Sequence, residues 1–332
     1  NRETTFYSNF SKAISIKLNA INWDFITKRK IFYIVSGLII AAGVVSLATK
    51  GLSTGVEFKG GWSYVVEIED ANVADIRTAL NDGIKAVSEK NNITEDATNE
   101  VKTYGAGGQY KITTTYLINS SDSSAASQVE DALVSSLKSF DFAKEDILSI
   151  NKVGPTIAKD IKVRSGWAIA FAIIGMFLYI LVRFRNVGFS LGATVAIFHD
   201  VLIVFSLYSI LWGLLPFELS IDQAFIAAIL TVVGYSINDT VVVFDRVREF
   251  LGINKHEKDF VPIINRAINT TLSRTLITSL TTLLVILILF IFGGEGLKGF
   301  TFALLVGVAV GTYSSVCIAT PVLVDYMKKF GK

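Results

Sequence analysis

Two ionisable residues stand in runs of the chain that are otherwise apolar, and their types and spacing suit proton chemistry. Asp239 lies in Gly234-Tyr235-Ser236-Ile237-Asn238-Asp239-Thr240-Val241-Val242-Val243-Phe244-Asp245-Arg246, six residues before the polar end marked by Asp245 and Arg246. At helical rise that is about 9 Å of depth. Thr231, Tyr235, Asn238 and Asp239 share one helical face, while the rest of the run is Ile, Leu and Val. Further on, Thr270, Arg274, Thr278 and Thr281 recur at spacings of four, four and three. A helix starting near Asn265 would bury Arg274 about 12 Å deep, level with Asp239. A carboxylate and a guanidinium facing each other in a low dielectric read in two ways. They form either a site where a proton is bound and released as the cation or water moves, or a static ion pair that only tolerates burial. Arg274 is also long enough to reach the membrane surface.

A second polar point is His199-Asp200, near the middle of another apolar run. Adjacent residues point about 100° apart on a helix, so one is expected to line a cavity while the other bonds a neighbour. His199, Asp200, Tyr235, Asn238, Thr240 and Thr278 are open to a relay role or a packing role.

Other chemistry lacks its residues. There is no HExxH, phosphate-binding loop, GxSxG or paired-cysteine spacing, so the chain reads as a non-enzyme without a bound cofactor or metal. The one cysteine, Cys317, excludes an internal disulfide and reads as packing. A net charge of +2 gives no footing for nucleic acid. Any energy input would have to come from an ion gradient, at about 2.3 kcal/mol per charge per 100 mV.

The elements that position these residues are membrane spans. The chain is 51% hydrophobic and only 18% charged, and its apolar residues are gathered in blocks. Runs near Ile31–Leu47, Ser165–Val182, Val187–Leu214, Gln223–Phe244, Leu272–Phe292 and Phe300–Val324 are each long enough to cross a bilayer as a helix. Lys28, Arg29 and Lys30 precede the first run, and Arg183 and Arg185 separate the second from the third. Arg246, Arg248, Lys255, Lys258 and Arg266 follow the fourth, and Lys328, Lys329 and Lys332 close the chain. With six spans all of these fall on one side, which the positive-inside rule makes cytoplasmic. The predicted order is a cytoplasmic segment 1–30, helix 31–49, an external domain 50–164, and five further helices in 165–332. A cytoplasmic loop near 246–270 and a cytoplasmic C-terminus complete it.

Within the insert, Trp62–Glu69, Glu100–Tyr104, Lys111–Leu117 and Ile147–Val153 alternate or run like strands. Val73–Val87 and Ala126–Phe140 carry helical spacing, and Gly105-Ala106-Gly107-Gly108 reads as a turn. The order β-α-β-β-α-β predicts an α+β ferredoxin-like domain. Gly51–Gly61 joins it to the first span and reads as a flexible linker, with Gly154-Pro155 as a stop and hinge at the return. Gly307, Gly311 and Ser315, four apart, form a small-residue packing face.

The run Val233–Glu249 resembles the fourth-span signature of the SecD/SecF protein-export family, and Leu272–Thr282 resembles its fifth-span motif. Gly55-Val56-Glu57-Phe58-Lys59-Gly60-Gly61 is similar to the family's glycine signature, with Glu57 where Asp is usual; His199-Asp200 and Val153-Gly154-Pro155 also fit. The resemblance implies a fold like the resistance-nodulation-division transporters and a place in the bacterial plasma membrane. It implies a proton-driven accessory role in late stages of preprotein export, with Asp239 carrying the proton and Arg274 as its partner. Gly55, Glu57, Gly60 and Gly61 would form the hinge signature. The implied partners are SecD, the SecYEG channel, SecA, YidC/YajC-type accessory proteins and the preprotein, in a lipid bilayer. A first residue other than Met suits the second half of a SecD–SecF fusion. Two other readings stay open: a transporter half for lipids or small molecules, and an uncoupled scaffold for the export channel.

Overall fold

In the computed structural model the described residues are 22–91, 97–104, 108–120, 122–217 and 219–330. Residues 1–21 of the N-terminal segment, residues 105–107 of the glycine turn, and Lys332 lie outside them. Six helices are long and apolar enough to cross a membrane. They are α1 (Arg29–Thr49), α4 (Pro155–Phe184), α5 (Val187–Leu211), α6 (Gln223–Ile253), α7 (Phe260–Phe292) and a last span made of α8 (Glu295–Ser314), a π-helical turn (Ser315–Ala319) and α9 (Thr320–Phe330).

Their starts are written in the sequence by side chains that accept the orphan N–H groups of a first turn. Asn186 accepts from Gly188 N at 2.8 Å, Asp222 from Phe225 N at 2.7 Å and Asp259 from Val261 N at 3.0 Å. Pro155 occupies the first turn of α4, where its missing N–H costs nothing. Gly154-Pro155, expected as a stop, therefore starts a helix. It does so ten residues before the apolar run, and α7 likewise begins at Phe260 rather than near Asn265, because polar residues extend both helices.

The helices divide into an inner and an outer set. Most of the buried side chains belong to α5, α6 and the last span, whereas α1, α4 and α7 present Leu38, Phe171, Val182, Val285 and Phe292 outward. Such an outward apolar surface suits lipid or a second subunit. Close approach within the inner set depends on small residues. A Cβ at Gly307 would stand 2.1 Å from Val232 Cγ2, and one at Gly311 would stand 3.1 Å from Ser236 Cβ. The small-residue face of the last span thus packs on α6. Gly307→Ala is expected to cost about 1–3 kcal/mol through overpacking, measured as a lower unfolding temperature of the detergent-solubilised protein.

Between α1 and α4 lies a small sheet unit. Strands β1 (Gly61–Glu67), β2 (Asn99–Thr103), β3 (Gln109–Thr114) and β4 (Ile147–Val153) pair antiparallel in the order β2-β3-β1-β4. Helices α2 (Val73–Lys90) and α3 (Ala125–Ser136) cover one face. Tyr64 and Val66 from β1 and Ile112 from β3 meet Ile76, Leu80, Val129 and Leu133 from the helices in one core.

The linker expected to be flexible is tied down. Thr54 bridges Ile221 in parallel, with Gly55 N donating to Ile221 O at 2.9 Å and Ile221 N to Ser53 O at 2.8 Å. Val56–Lys59 forms one helical turn, and Gly60 at φ 77° turns the chain into β1. At Gly61, a Cβ would sit 3.0 Å from Thr114 O, so glycine admits the neighbouring strand. Backbone pairing to the loop before α6 explains the difference: composition reports freedom to turn, not whether a partner edge is at hand.

The same joint carries charge. Glu100 on β2 lies between Lys59 of the linker (3.2 Å) and Lys102 (3.1 Å), and Lys102 Nζ also donates to Ser53 Oγ at 2.5 Å. Burial acts to raise the Glu100 carboxyl, but the two ammonium groups outweigh it and hold it below the usual glutamate range. A carboxyl depressed by folding stabilises above its unfolded value, and that gain is lost as pH falls through the folded value. Glu100→Gln is expected to lower stability at neutral pH by no more than about 1 kcal/mol. It should also flatten the acid side of a plot of unfolding temperature against pH, read by thermal melts.

Candidate functional site

Helices α6, α7 and α8 meet around Asp239, which is 3% exposed. Its Oδ2 accepts from Ser279 Oγ of α7 at 3.1 Å and from Thr312 Oγ1 of α8 at 3.3 Å, and Thr312 also reaches Ser279 Oγ at 2.6 Å. The carboxyl is thus held by hydroxyls, not by a cation. Arg274 is exposed, forms no ion pair within 4 Å among the described residues, and acts on Asp239 only through space. The direct Asp239–Arg274 pair drawn from the two stripes is therefore not formed in this arrangement. Arg274 sits five residues before Ser279 and so emerges on another face of α7, more than a turn away.

The stripe itself lies open. Thr270, Arg274, Thr278 and Thr281 are exposed along α7, and Thr231 and Asn238 are exposed on α6. Thr278 Oγ1 turns back to Arg274 O at 3.0 Å, and Tyr235 OH donates to Thr282 Oγ1 at 3.4 Å, linking α6 to α7. Asp239 stands at the inner edge of a polar face that the other described residues leave uncovered.

Thr240 points the other way. It is buried, 2.9 Å from Ser315 Oγ in the π-helical turn. Beyond it lies a second polar cluster. Asp200, 1% exposed, accepts at Oδ2 from Ser236 Oγ of α6 at 2.6 Å and from Ser314 Oγ of α8 at 2.8 Å. Its Oδ1 is 2.9 Å from His199 Nδ1, and His199 Nε2 is 2.9 Å from Ser36 Oγ on α1. His199 and Asp200 both bond neighbouring helices, and they also bond each other. Of the glycine signature, Gly55, Glu57, Gly60 and Gly61 lie at the joint with the sheet unit, far along the chain from both clusters.

The sequence reading missed Ser36, Ser236, Ser279, Thr312 and Ser314. The run Thr312-Tyr313-Ser314-Ser315 inside an apolar span was the available signal.

Residues 132–329, from α3 to the end of α9, match the family described as "Protein export membrane protein SecD/SecF, C-terminal". The chain belongs to the SecD/SecF protein-export family. It is 46% identical over 306 residues to "Protein translocase subunit SecF" of Rhodothermus marinus, covering 92% of this chain and 93% of that relative. It is 36% identical over 300 residues to the protein of the same name in Desulfurispirillum indicum, covering 89% of each. Among solved structures, SecDF of Thermus thermophilus, described as a translocon-associated membrane protein, aligns at TM-score 0.76 and 30% identity over 93% of this chain. SecDF in its super-membrane-facing form aligns at 0.62 with the same identity and coverage. The chain spans 39% of the length of each solved SecDF chain. Family and helices together make it a multi-span membrane protein of the bacterial inner membrane.

Proposed function

We propose that the chain is an accessory subunit of the Sec preprotein translocase that uses the proton-motive force in late stages of export. Asp239 is the proton-carrying carboxyl and Arg274 its cationic partner. The observation that carries this reading is a carboxyl buried among hydroxyls at the edge of an uncovered polar face. Hydroxyls can bond either protonation state, so the group stays placed while its proton comes and goes. The uncovered face suits a second half of like architecture, SecD, which in the solved relatives' name stands beside SecF. Preprotein, SecYEG, SecA and YidC/YajC-type proteins are the wider partners in this reading.

The sheet unit is the ferredoxin-like external domain of this scheme. Its strand order and its two helices on one face suit two split β-α-β units. The ionic cluster Arg183–Asp245–Arg248 and the Arg29–Asp325 pair lie at the opposite end of the helices from the Thr54–Ile221 joint. That distribution supports cytoplasmic termini and an external sheet.

The test is export of a slowly secreted reporter into membrane vesicles, with and without an uncoupler, for wild type and Asp239→Asn at equal assembly with the partners. Loss of the uncoupler-sensitive part supports the reading. Export at the wild-type rate makes the carboxyl structural and favours a scaffold.

A further inference from the structure

Ahead of α1, the chain is fastened across the start of α7 by two asparagines. Asn269 Oδ1 accepts from Trp23 N at 2.9 Å, and its Nδ2 donates to Trp23 O at 2.9 Å. Asn265 Oδ1 accepts from Phe25 N at 3.0 Å, and its Nδ2 also donates to Trp23 O, at 2.9 Å. Trp23 stacks on the buried ring of Phe25, with centroids 5.9 Å apart, yet stays exposed itself. A tryptophan held where the chain enters a span suits the boundary between lipid headgroups and acyl chains.

Trp23 and Phe25 close one end of a groove of about 320 Å³ between α7 and the last span. Leu272 and Leu276 form one wall, and Ala309, Thr312 and Val316 the other. From Ala309 to Cys317 the groove runs about 12 Å at helical rise. One leaflet of a bilayer holds roughly 15 Å of hydrocarbon. The groove opens away from the polar face, because Leu272 and Leu276 stand about 160° round α7 from Arg274. They continue instead into Leu280 and Leu284, which are exposed, so an occupant can enter from the lipid.

One polar group interrupts this lining. Thr275 Oγ1 is buried and has no hydrogen-bond partner among the described residues, whereas Thr271, Thr278 and Thr282 of the same helix bond back to carbonyls. A buried hydroxyl without a partner is unfavourable, and an occupant that brings an acceptor relieves it. At the mouth, Trp23 and Phe25 also border a polar hollow of about 440 Å³ with Asp24 and Lys28. Those two side chains are exposed and opposite in charge. An apolar groove joined to a hollow that holds one cation and one anion matches an amphiphile with a zwitterionic head.

We propose that groove and hollow together form a site for one zwitterionic phospholipid. It belongs to the leaflet at this end of the helices, cytoplasmic in the orientation proposed above. One acyl chain lies between α7 and the last span, and its ester oxygen accepts from Thr275. The headgroup phosphate meets Lys28 and the headgroup ammonium meets Asp24, with Trp23 over the junction. The site holds whether or not Asp239 exchanges protons.

The experiment places the complex with its partner half in vesicles of phosphatidylethanolamine and phosphatidylglycerol. A small share of the phosphatidylethanolamine carries a diazirine along one acyl chain, and cross-links formed on illumination are mapped by mass spectrometry. In wild type, labels on residues 272–276 and 309–317 are expected to exceed several-fold those on the outward-facing Val285 of α7 and Phe171 of α4. Ala309→Trp, which fills the groove from its exposed rim, should remove the groove labels and leave the outward ones. Leu276→Trp serves the same purpose if that variant does not assemble. Lys28→Gln should lower groove labelling about two- to fivefold, as for loss of an exposed ion pair. Labels spread evenly over groove and outward positions, a groove unlabelled in wild type, or groove labels that survive its filling overturn the site. A diazirine fatty acid is expected to label the groove more weakly than the phospholipid. Equal labelling by the fatty acid, with Lys28→Gln matching wild type, overturns the phospholipid and leaves a slot for a bare chain.

Discussion

Asp239→Asn is expected to bring export down to the level of a membrane whose gradient has been collapsed, while the protein folds and assembles as before. The two halves of that expectation have separate causes. Asparagine has the shape of the carboxyl and keeps an oxygen to accept from Ser279 and Thr312, so packing between α6, α7 and α8 is unchanged. Nor do the hydroxyls depend on the carboxyl alone. Ser279 Oγ also bonds Thr275 O at 2.9 Å, and Thr312 Oγ1 also bonds Val308 O at 2.9 Å. The stability cost should therefore stay near the lower end for a hydrogen bond, about 1 kcal/mol. What the amide lacks is a proton to bind and release, and no neighbouring group supplies one at that point. Asp239→Glu keeps the proton but pushes the carboxyl one methylene further into a closed site, so part of the gradient-dependent export should survive. Matching thermal melts with export measured with and without the uncoupler separates the two halves. Equal melts with lost coupling is the expected pair of results, and equal melts with intact coupling would remove the proton role.

Much of this architecture is legible before any coordinates. The six apolar runs and the alternation in Trp62–Glu69 both report local physics: hydrophobic length and strand period. Ile147–Val153 falls on a strand with those same bounds for that reason. The site was only half legible. Asp239 and Asp200 stand out because a carboxylate among Val and Ile is conspicuous, whereas the serines and threonines that hold them are common helix residues with many bland uses. Partnership was the harder step. The equal depth of Asp239 and Arg274 suggested a bond, but depth along two helices does not fix rotation about them. Ser279, not Arg274, lies on the side of α7 turned to Asp239. The mutual bond of His199 and Asp200 was not legible either, since residues that leave a helix about 100° apart can still have side chains long enough to meet. Whether the glycine signature is loose or anchored depended on Ile221, more than a hundred and fifty residues away, which no local pattern around Gly55 can report.

Arg274→Met should have a large effect on coupling and almost none on this chain's own fold. The guanidinium is exposed, and within the described residues it holds no ion partner, so no ion pair in the bundle depends on it. Removing it should shift the stability of the isolated chain by no more than about 0.5 kcal/mol, as for an ordinary surface change. Methionine keeps the unbranched stem of the side chain, and so disturbs packing little. In the complex the expectation reverses. A cation on an otherwise uncovered polar face becomes buried once a second half covers Thr270, Thr278 and Asn238, and a buried charge must find a carboxylate. Asp239 is near enough to feel it through space. Arg274→Met should therefore lose uncoupler-sensitive export without losing assembly, and Arg274→Lys should recover part of it, because it keeps the charge but not the planar fork. Melts of the isolated chain, pull-down of the partner half and export with the uncoupler give three independent readings. If the isolated chain itself is destabilised by several kcal/mol, Arg274 is a structural residue after all. If all three readings match wild type, the guanidinium has no part in coupling and Asp239 works with the hydroxyls alone.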